Sequence, residues 1–248
     1  MATLFTVTFS NQLDAAIAQV MSVSGIPLAL EAMELAERHR PVLVVIGGAS
    51  KLGEADYQQV QRLFLDVLAP IAQKWQASVV DGGTDAGVMR LMGQARDAID
   101  GTFPLIGVAP IGLARLPDQP LKSEDAIPLE PYHSHFFLVP GSSWGDESAW
   151  IAAIASELAG SAPSITVLIN GGEITWADAL QNVRAGRGMI VIAGSGRTAD
   201  LLAAGLRGEP TDARAEELIA SGLVQMVELS ADSDVLTTTI EAVFAGES

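Results

Sequence analysis

Val42-Leu43-Val44-Val45-Ile46-Gly47-Gly48 is the stretch on which the fold reading turns. Five consecutive aliphatic residues with no polar alternation describe a strand covered on both faces, the habit of a parallel sheet. The glycine pair behind them marks a tight strand-to-helix turn. Downstream, residues 55–75 carry Val60, Leu63, Phe64, Val67, Leu68 and Ile71 at helical spacing, which predicts one amphipathic helix. The same unit recurs. Further strands are predicted at 78–80, 105–109, 135–139, 165–169, 189–193 and 224–229, and helices at 88–98, 147–158, 176–184 and 198–206. Two more helices flank the last strand, and the first 40 residues add one strand at 4–9 and two helices in this reading.

Residues 113–132 break the rhythm. They hold Pro117, Pro120, Pro128 and Pro131, show no period, and read as a long irregular connection. Loops of that length are uncommon unless functional. The alternation elsewhere predicts an α/β, Rossmann-like open sheet, mostly parallel, with helices on both faces. No Pro/Ser/Gly linker divides the chain, so one domain over residues 1–248 is expected. Its motif-bearing core spans about 42–205, with additions at 1–40 and 206–248.

The composition narrows the function. The chain has 248 residues, with 14 Lys and Arg against 30 Asp and Glu, a formal charge of −16. Its 49% hydrophobic content excludes a disordered chain. The absence of cysteine excludes disulfides, thiolate catalysis and Cys-based zinc sites. The acidity weighs against nucleic acid as a partner. It does not weigh against a small anion held by backbone N–H groups. The apolar runs are strand-sized, far short of the roughly 20 residues of a spanning helix. Residues 1–10 lack the basic start of a signal peptide. A cytoplasmic protein without a membrane partner is expected, with a homo-oligomer left open.

The glycines carry the functional signal. They fall at the end of strand after strand: Gly47-Gly48, Gly82-Gly83, Gly112, Gly171-Gly172, and Gly194 with Gly196. In a parallel sheet these turns share the carboxyl edge, and those near the topological switch converge. Each feeds a helix N-terminus, where free N–H groups and the dipole favour phosphate. One such turn is as readily explained by geometry; five together favour a nucleotide-like ligand. No Walker A sequence and no G-x-G-x-x-G pattern is present.

Five ordered segments carry a resemblance. Val80-Asp81-Gly82-Gly83-Thr84-Asp85-Ala86-Gly87-Val88-Met89 resembles the "TGGT-x-x-GV" segment of the cytosolic N-terminal region of TRPM channels, with Asp81 in place of its leading Thr. Ile106-Gly107-Val108-Ala109-Pro110-Ile111-Gly112 is similar to "IGIAPWG". Leu129-Glu130-Pro131-Tyr132-His133-Ser134-His135-Phe136 is similar to "LDPNHSHF". Gly145-Asp146-Glu147 resembles "G-x-E", and Gly194-Ser195-Gly196-Arg197-Thr198-Ala199-Asp200-Leu201 resembles "GSGRAADLL". The chain is identified on these matches as a stand-alone prokaryotic member of the SLOG superfamily, the TRPM-like (LSDAT) group. The resemblance implies a Rossmann-like domain that binds a nucleotide-derived ligand, ADP-ribose or an NAD-related molecule, as a sensor.

The same superfamily includes LOG-type phosphoribohydrolases, with a "PGG-x-GT-x-x-E" motif. Asn170-Gly171-Gly172-Glu173-Ile174-Thr175-Trp176-Ala177-Asp178 keeps its Gly-Gly and Thr. It departs at Asn170, Ile174 and Asp178, which weighs against hydrolysis. N-glycosidic cleavage of a nucleotide or NAD-type substrate is the alternative reading, with Glu147 or Asp178 as the carboxylate that positions water. A TRPM-type Arg past the Glu is missing, since Ala149, Trp150 and Ile151 follow.

The binding residues expected are those of the turns and motifs. They are Gly47, Gly48, Ser50, Lys51, Gly82, Gly83, Thr84, Gly87, Pro110, Gly112, Gly171, Gly172, Thr175, Gly194, Ser195, Gly196 and Arg197, together with His133, His135 and Glu147. Arg197 is the strongest of these, lying between a glycine turn and a helix start, where a guanidinium can pair bidentately with phosphate. A structural ion pair with Asp200 is its other reading. Ser50 and Lys51 read equally as phosphate contacts or as a helix cap and a solvated Lys. Glu147 suits a ribose hydroxyl, and Trp144 is the best stacking candidate. His133 and His135 read as hydrogen-bonding groups that fix the long loop, as ribose or base contacts, or as imidazoles satisfied by backbone. No third metal ligand is recognisable near them, so no metal is expected.

Overall fold

The computed structural model describes residues 2–36, 40–48, 53–117, 119–120 and 124–247. Its centre is β3 (Val42–Gly47). Side chains alternate across it: Val42, Val44 and Ile46 enter one apolar layer, Leu43 and Val45 the other. That double coverage is why no polar residue interrupts the run.

From β3 the chain steps outward through β4 (Ser78–Asp81), β5 (Leu105–Pro110) and β8 (His135–Val139), all parallel. It then crosses back to pair β9 (Ser164–Ile169) with the opposite side of β3, and continues to β10 (Gly188–Ala193) and β11 (Val224–Glu228). The switch point of the sheet therefore lies between β3 and β9. The helical run 54–75 and α4 (Gly87–Ala98) cover one face, with α9 (Ser233–Phe244). The other face is covered by α1 (Ile26–Ala32), α5 (Ser148–Ala159), α6 (Glu173–Arg184), α7 (Arg197–Leu206) and α8 (Ala213–Ala220). Helices on both faces of a largely parallel sheet make this an α/β, Rossmann-like fold.

The helical run is not uniform. It comprises α2 (Glu54–Leu63), a π-helical turn (Phe64–Leu68) and α3 (Ala69–Trp75). The Ala69 N–H reaches back five residues to the Phe64 carbonyl. Pro70 has no N–H to give Asp66, so the ladder widens just before it.

The N-terminal expectation needs correction. The strand expected at 4–9 is β1 (Thr3–Thr8), but it forms a hairpin with β2 (Asp14–Gln19), so a second strand and the one described α-helix, α1, stand where two helices are expected. β2 pairs in parallel with β8 and extends the sheet to nine strands, in the order β1-β2-β8-β5-β4-β3-β9-β10-β11. The alanines of Asp14-Ala15-Ala16-Ile17-Ala18-Gln19 hide the alternation and favour helix locally; pairing on both sides overrides that preference. Within the irregular stretch, β6 (Ala114–Arg115) and β7 (Ile127–Pro128) form a small separate pair. No described helix is long and apolar enough to cross a membrane.

Candidate functional site

A cleft of about 400 Å³ opens at the carboxyl edge of the sheet, over the switch point. Gly47 and Gly48 contribute from the end of β3, and Gly82 and Thr84 from the end of β4. Across from them stand Gly172, Thr175 and Asp178 of the β9–α6 turn and helix, with Glu147 and Ile151 from the start of α5. Arg197 completes the rim. Gly47 has φ of 130°, and a Cβ there would sit 1.9 Å from the Ile169 carbonyl oxygen. Only glycine lets β3 and β9 approach this closely where the chain must turn.

The turn after β9 is laced to the turn after β10. Ser195 Oγ accepts the Asn170 N–H at 2.7 Å and donates to the Ile192 carbonyl at 2.5 Å. Asn170 Nδ2 donates to the Ser195 carbonyl at 2.7 Å, Thr198 Oγ1 to the Gly172 carbonyl at 3.0 Å, and the Ala199 N–H to the Asn170 carbonyl at 2.9 Å. These bonds hold the Arg197 guanidinium against Gly172, where a Cβ would meet its nitrogens at 3.0 and 3.2 Å. Asp200 accepts the Gly194 N–H at 2.7 Å. Helix α6 starts at Glu173, three residues earlier than periodicity suggests, so Gly172 caps it and Thr175 Oγ1 accepts the Gly172 N–H at 2.9 Å.

Three acidic residues line the cleft: Glu173 at the start of α6, which is exposed, and the buried Glu147 and Asp178. Burial pushes Asp178 up to about 7, the nearby Glu147 charge adds to that, and a 2.6 Å hydrogen bond from Ser148 Oγ opposes it. Burial also raises Glu147, which accepts the Gly145 N–H at 2.8 Å. The remaining wall is apolar: Met89, Ile127, Ile151 and Trp144 face it. Trp144 is pinned there by its indole N–H, which donates to the Asp125 carbonyl at 3.2 Å. A positive end, three acidic groups and an apolar end thus share one cavity.

Of the expected binding residues, the cleft gathers Gly47, Gly48, Gly82, Thr84, Glu147, Gly172, Thr175 and Arg197, and the catalytic candidate Asp178. Ser50 and Lys51 lie outside the described residues. Gly83, Gly87, Pro110, Gly112, His133, His135, Gly171, Gly194, Ser195 and Gly196 do not line it. Each has another position. Gly83 packs on Gly107 across β4 and β5, where a Cβ would come within 2.6 Å of its Cα. Gly87 opens α4, and Gly171 packs on Thr175. Pro110 and Gly112 end a strand two places from the switch; the Gly112 N–H bonds the Gly141 carbonyl at 3.0 Å. Gly194, Ser195 and Gly196 form the lacing behind Arg197.

The two histidines point to different places. His133 is fully buried; its Nδ1 bonds Glu130 Oε2 at 2.7 Å and its Nε2 bonds Asp81 Oδ1 at 2.9 Å. Burial alone would lower it, but the charges and hydrogen bonds of Asp81 and Glu130 win and raise it to about 9. The imidazolium thus ties residues 129–133 to the end of β4. Asp81 Oδ1 also accepts the Gly83 N–H at 2.7 Å, so this hub fixes the Gly82–Thr84 turn from behind. His135 starts β8 at the amino edge, beside Ser78 and Pro104, and burial pushes it down to about 4. Among the described residues no group of three His, Cys, Asp or Glu side chains is arranged to hold a metal ion.

The apolar lining escaped the sequence. Met89 and Ile151 have the helical spacing of core residues, and Ile127 lies in the irregular stretch. Only the strand order reveals which of them face the cleft.

No curated protein matches the chain. The X-ray structure of TM1055, a Northeast Structural Genomics Consortium target, is similar in fold: TM-score 0.55, 20% identity, covering 82% of this chain and 99% of that one. A family model described as "SLOG in TRPM, prokaryote" matches residues 40–237. The match spans β3 to the start of α9, and the chain belongs to that family, which supports a nucleotide-related binding or LOG-like domain.

Proposed function

We propose that the cleft binds a nucleotide-derived ligand, ADP-ribose or an NAD-related molecule, and that the domain serves as a sensor for it. One observation carries the reading: turns from both sides of the switch point converge on a cavity whose rim holds Arg197 against the N-terminus of a twelve-residue helix. Phosphate suits that end through the guanidinium fork and free N–H groups. Ribose hydroxyls suit Glu147, and a base suits the face between Trp144 and Met89. The cleft's acids and the net charge of −16 leave the backbone and Arg197 to hold the phosphate.

A second reading rests on Asp178. Held near 7 beside Glu147, it can keep or release a proton at neutral pH, as N-glycosidic cleavage asks of an acid or base. Calorimetric titration with ADP-ribose, NAD and AMP, then chromatography of the spent sample, separates the two. Saturable binding with intact ligand is the expected result. Release of free base makes the domain a hydrolase. Failure of every nucleotide to bind overturns both.

A further inference from the structure

A larger groove, about 750 Å³, lies on the other side of the wall that closes the cleft. The wall is the segment 127–129. Ile127 lines the cleft, whereas Pro128 and Leu129 line the groove. The segment is held by bonds from the Ile127 N–H to the Leu113 carbonyl at 3.0 Å and from the Leu129 N–H to the Arg115 carbonyl at 3.1 Å. The Asp85 N–H, at 2.8 Å from the Pro128 carbonyl, fastens it to the β4–α4 turn. The hairpin β1–β2 supplies the opposite bank, with Thr8, Phe9 and Gln12.

Arg115 and Gln119 line this groove, and each carries a polar atom that is unmet. Arg115 Nε and Gln119 Oε1 are buried and have no hydrogen-bond partner among the described residues. Buried donors and acceptors are almost always paired, so two orphans in one groove ask for a reason. The charge balance sharpens the question. With 30 acidic residues to 14 basic ones, carboxylates are abundant. Lys74, Arg90, Arg184, Arg207 and Arg214 each pair with at least one, and Arg96 and Arg187 are bonded to carbonyls and polar side chains. Asp85 lines the groove too, but its carboxylate is taken by Arg90 at 2.6 Å.

We propose that this groove is a second ligand site, for a small organic anion whose carboxylate or phosphate group pairs with Arg115. The guanidinium edge is a two-pronged donor that fits either group. The Gln119 amide completes the contact, since its oxygen and nitrogen are interchangeable by a flip: one donates to the anion, the other accepts from a hydroxyl beside it. Phe9 and the rings of Pro117, Pro128 and Pro131 give an apolar bed for the rest of the molecule. The proposal stands whether or not the neighbouring cleft takes a nucleotide.

The test uses the full chain in an Arg197→Ala background, which removes the cleft's guanidinium. Pyrophosphate and citrate are titrated separately, following the Arg115 Nε–H and Gln119 amide signals by two-dimensional NMR, with affinities from calorimetry. Saturable shifts at both residues are expected with at least one probe, and the tighter probe names the head group. Adding Arg115→Gln should weaken that affinity at least tenfold, and Arg115→Lys should weaken it less. The proposal is overturned if neither probe saturates the Arg115 signal, or if a folded Arg115→Gln protein binds as tightly as its parent. Shifts confined to Gly172 and its neighbours also overturn it.

Discussion

Two pairs of buried carboxylates sit near the carboxyl edge of the sheet and behave in opposite ways. Asp81 and Glu130 flank an imidazolium, and the three groups are joined in one buried structural knot. Glu147 and Asp178 accept hydrogen bonds from the Gly145 N–H and Ser148 Oγ; both are pushed up by burial, and both face a cavity. The strand-end turns look alike in sequence, each with a glycine pair, yet one pair is fastened and the other left open. A buried acid without a counter-charge costs free energy, and such costs cluster where a ligand is handled.

The largest effect should come from breaking the fastened pair. His133→Leu leaves two carboxylates buried without their cation, at a cost of about 3–5 kcal/mol. Calorimetry should then record a fall in Tm of about 6–20 °C. The wild type should also lose stability as pH rises from 6.5 through about 9, because the folded imidazole holds its proton more tightly than the unfolded one. The variant should lack that slope. A change of less than about 2 °C would mean that the knot is not what holds the turn.

The open pair predicts the reverse sign for its substitution, while its pH slope runs the same way. Asp178 binds its proton more tightly folded than unfolded, so stability falls as pH climbs from 3.8 to about 7 and stays lowered above that. Asp178→Asn removes the penalty and should stabilise the protein above neutrality by up to ~4 kcal/mol, with no gain in acid. Denaturant titrations at pH 5 and 8 check this; equal effects at both would erase the contrast between the pairs. Next in size is the ligand. Arg197→Ala should weaken nucleotide binding at least tenfold, about 1.4 kcal/mol, and unchanged affinity in a folded variant would remove Arg197 from the site. The smallest effect belongs to an exposed pair of similar geometry. Lys74 and Glu241 meet at 2.6 Å, but Lys74 is 63% exposed, and Lys74→Gln should change stability by less than ~0.5 kcal/mol. A larger loss would show that pairing, rather than burial, sets the scale.

The layered sheet was legible because it is written locally. Val42 to Ile46 carry an uninterrupted apolar run for the simple reason that both faces are covered. The glycine turns announced one edge of the sheet. Which of them converge was not legible, because convergence depends on β9 returning to the far side of β3, a long-range pairing with no local mark. That is why Gly112 and Gly194 carry the same signature as Gly47 without reaching the cleft. The role of His133 was equally hidden: one partner is three residues away, the other fifty-two. β2 escaped because alanine fits a pleated strand flanked by neighbours as easily as it fits a helix.

The lacing between Asn170, Gly172, Ser195 and Thr198 has a consequence for how tightly the cleft can bind. Arg197 has φ of 54°, a left-handed backbone that a long side chain rarely adopts and that costs about 1–3 kcal/mol. The surrounding bonds impose that shape during folding. Its backbone needs no rearrangement when a ligand arrives, so the ordering entropy normally charged to association has been moved to an earlier step. Such a site is preorganised: its selectivity rests on matching a fixed constellation, and loosening the lacing would erode affinity without removing any group that touches the ligand.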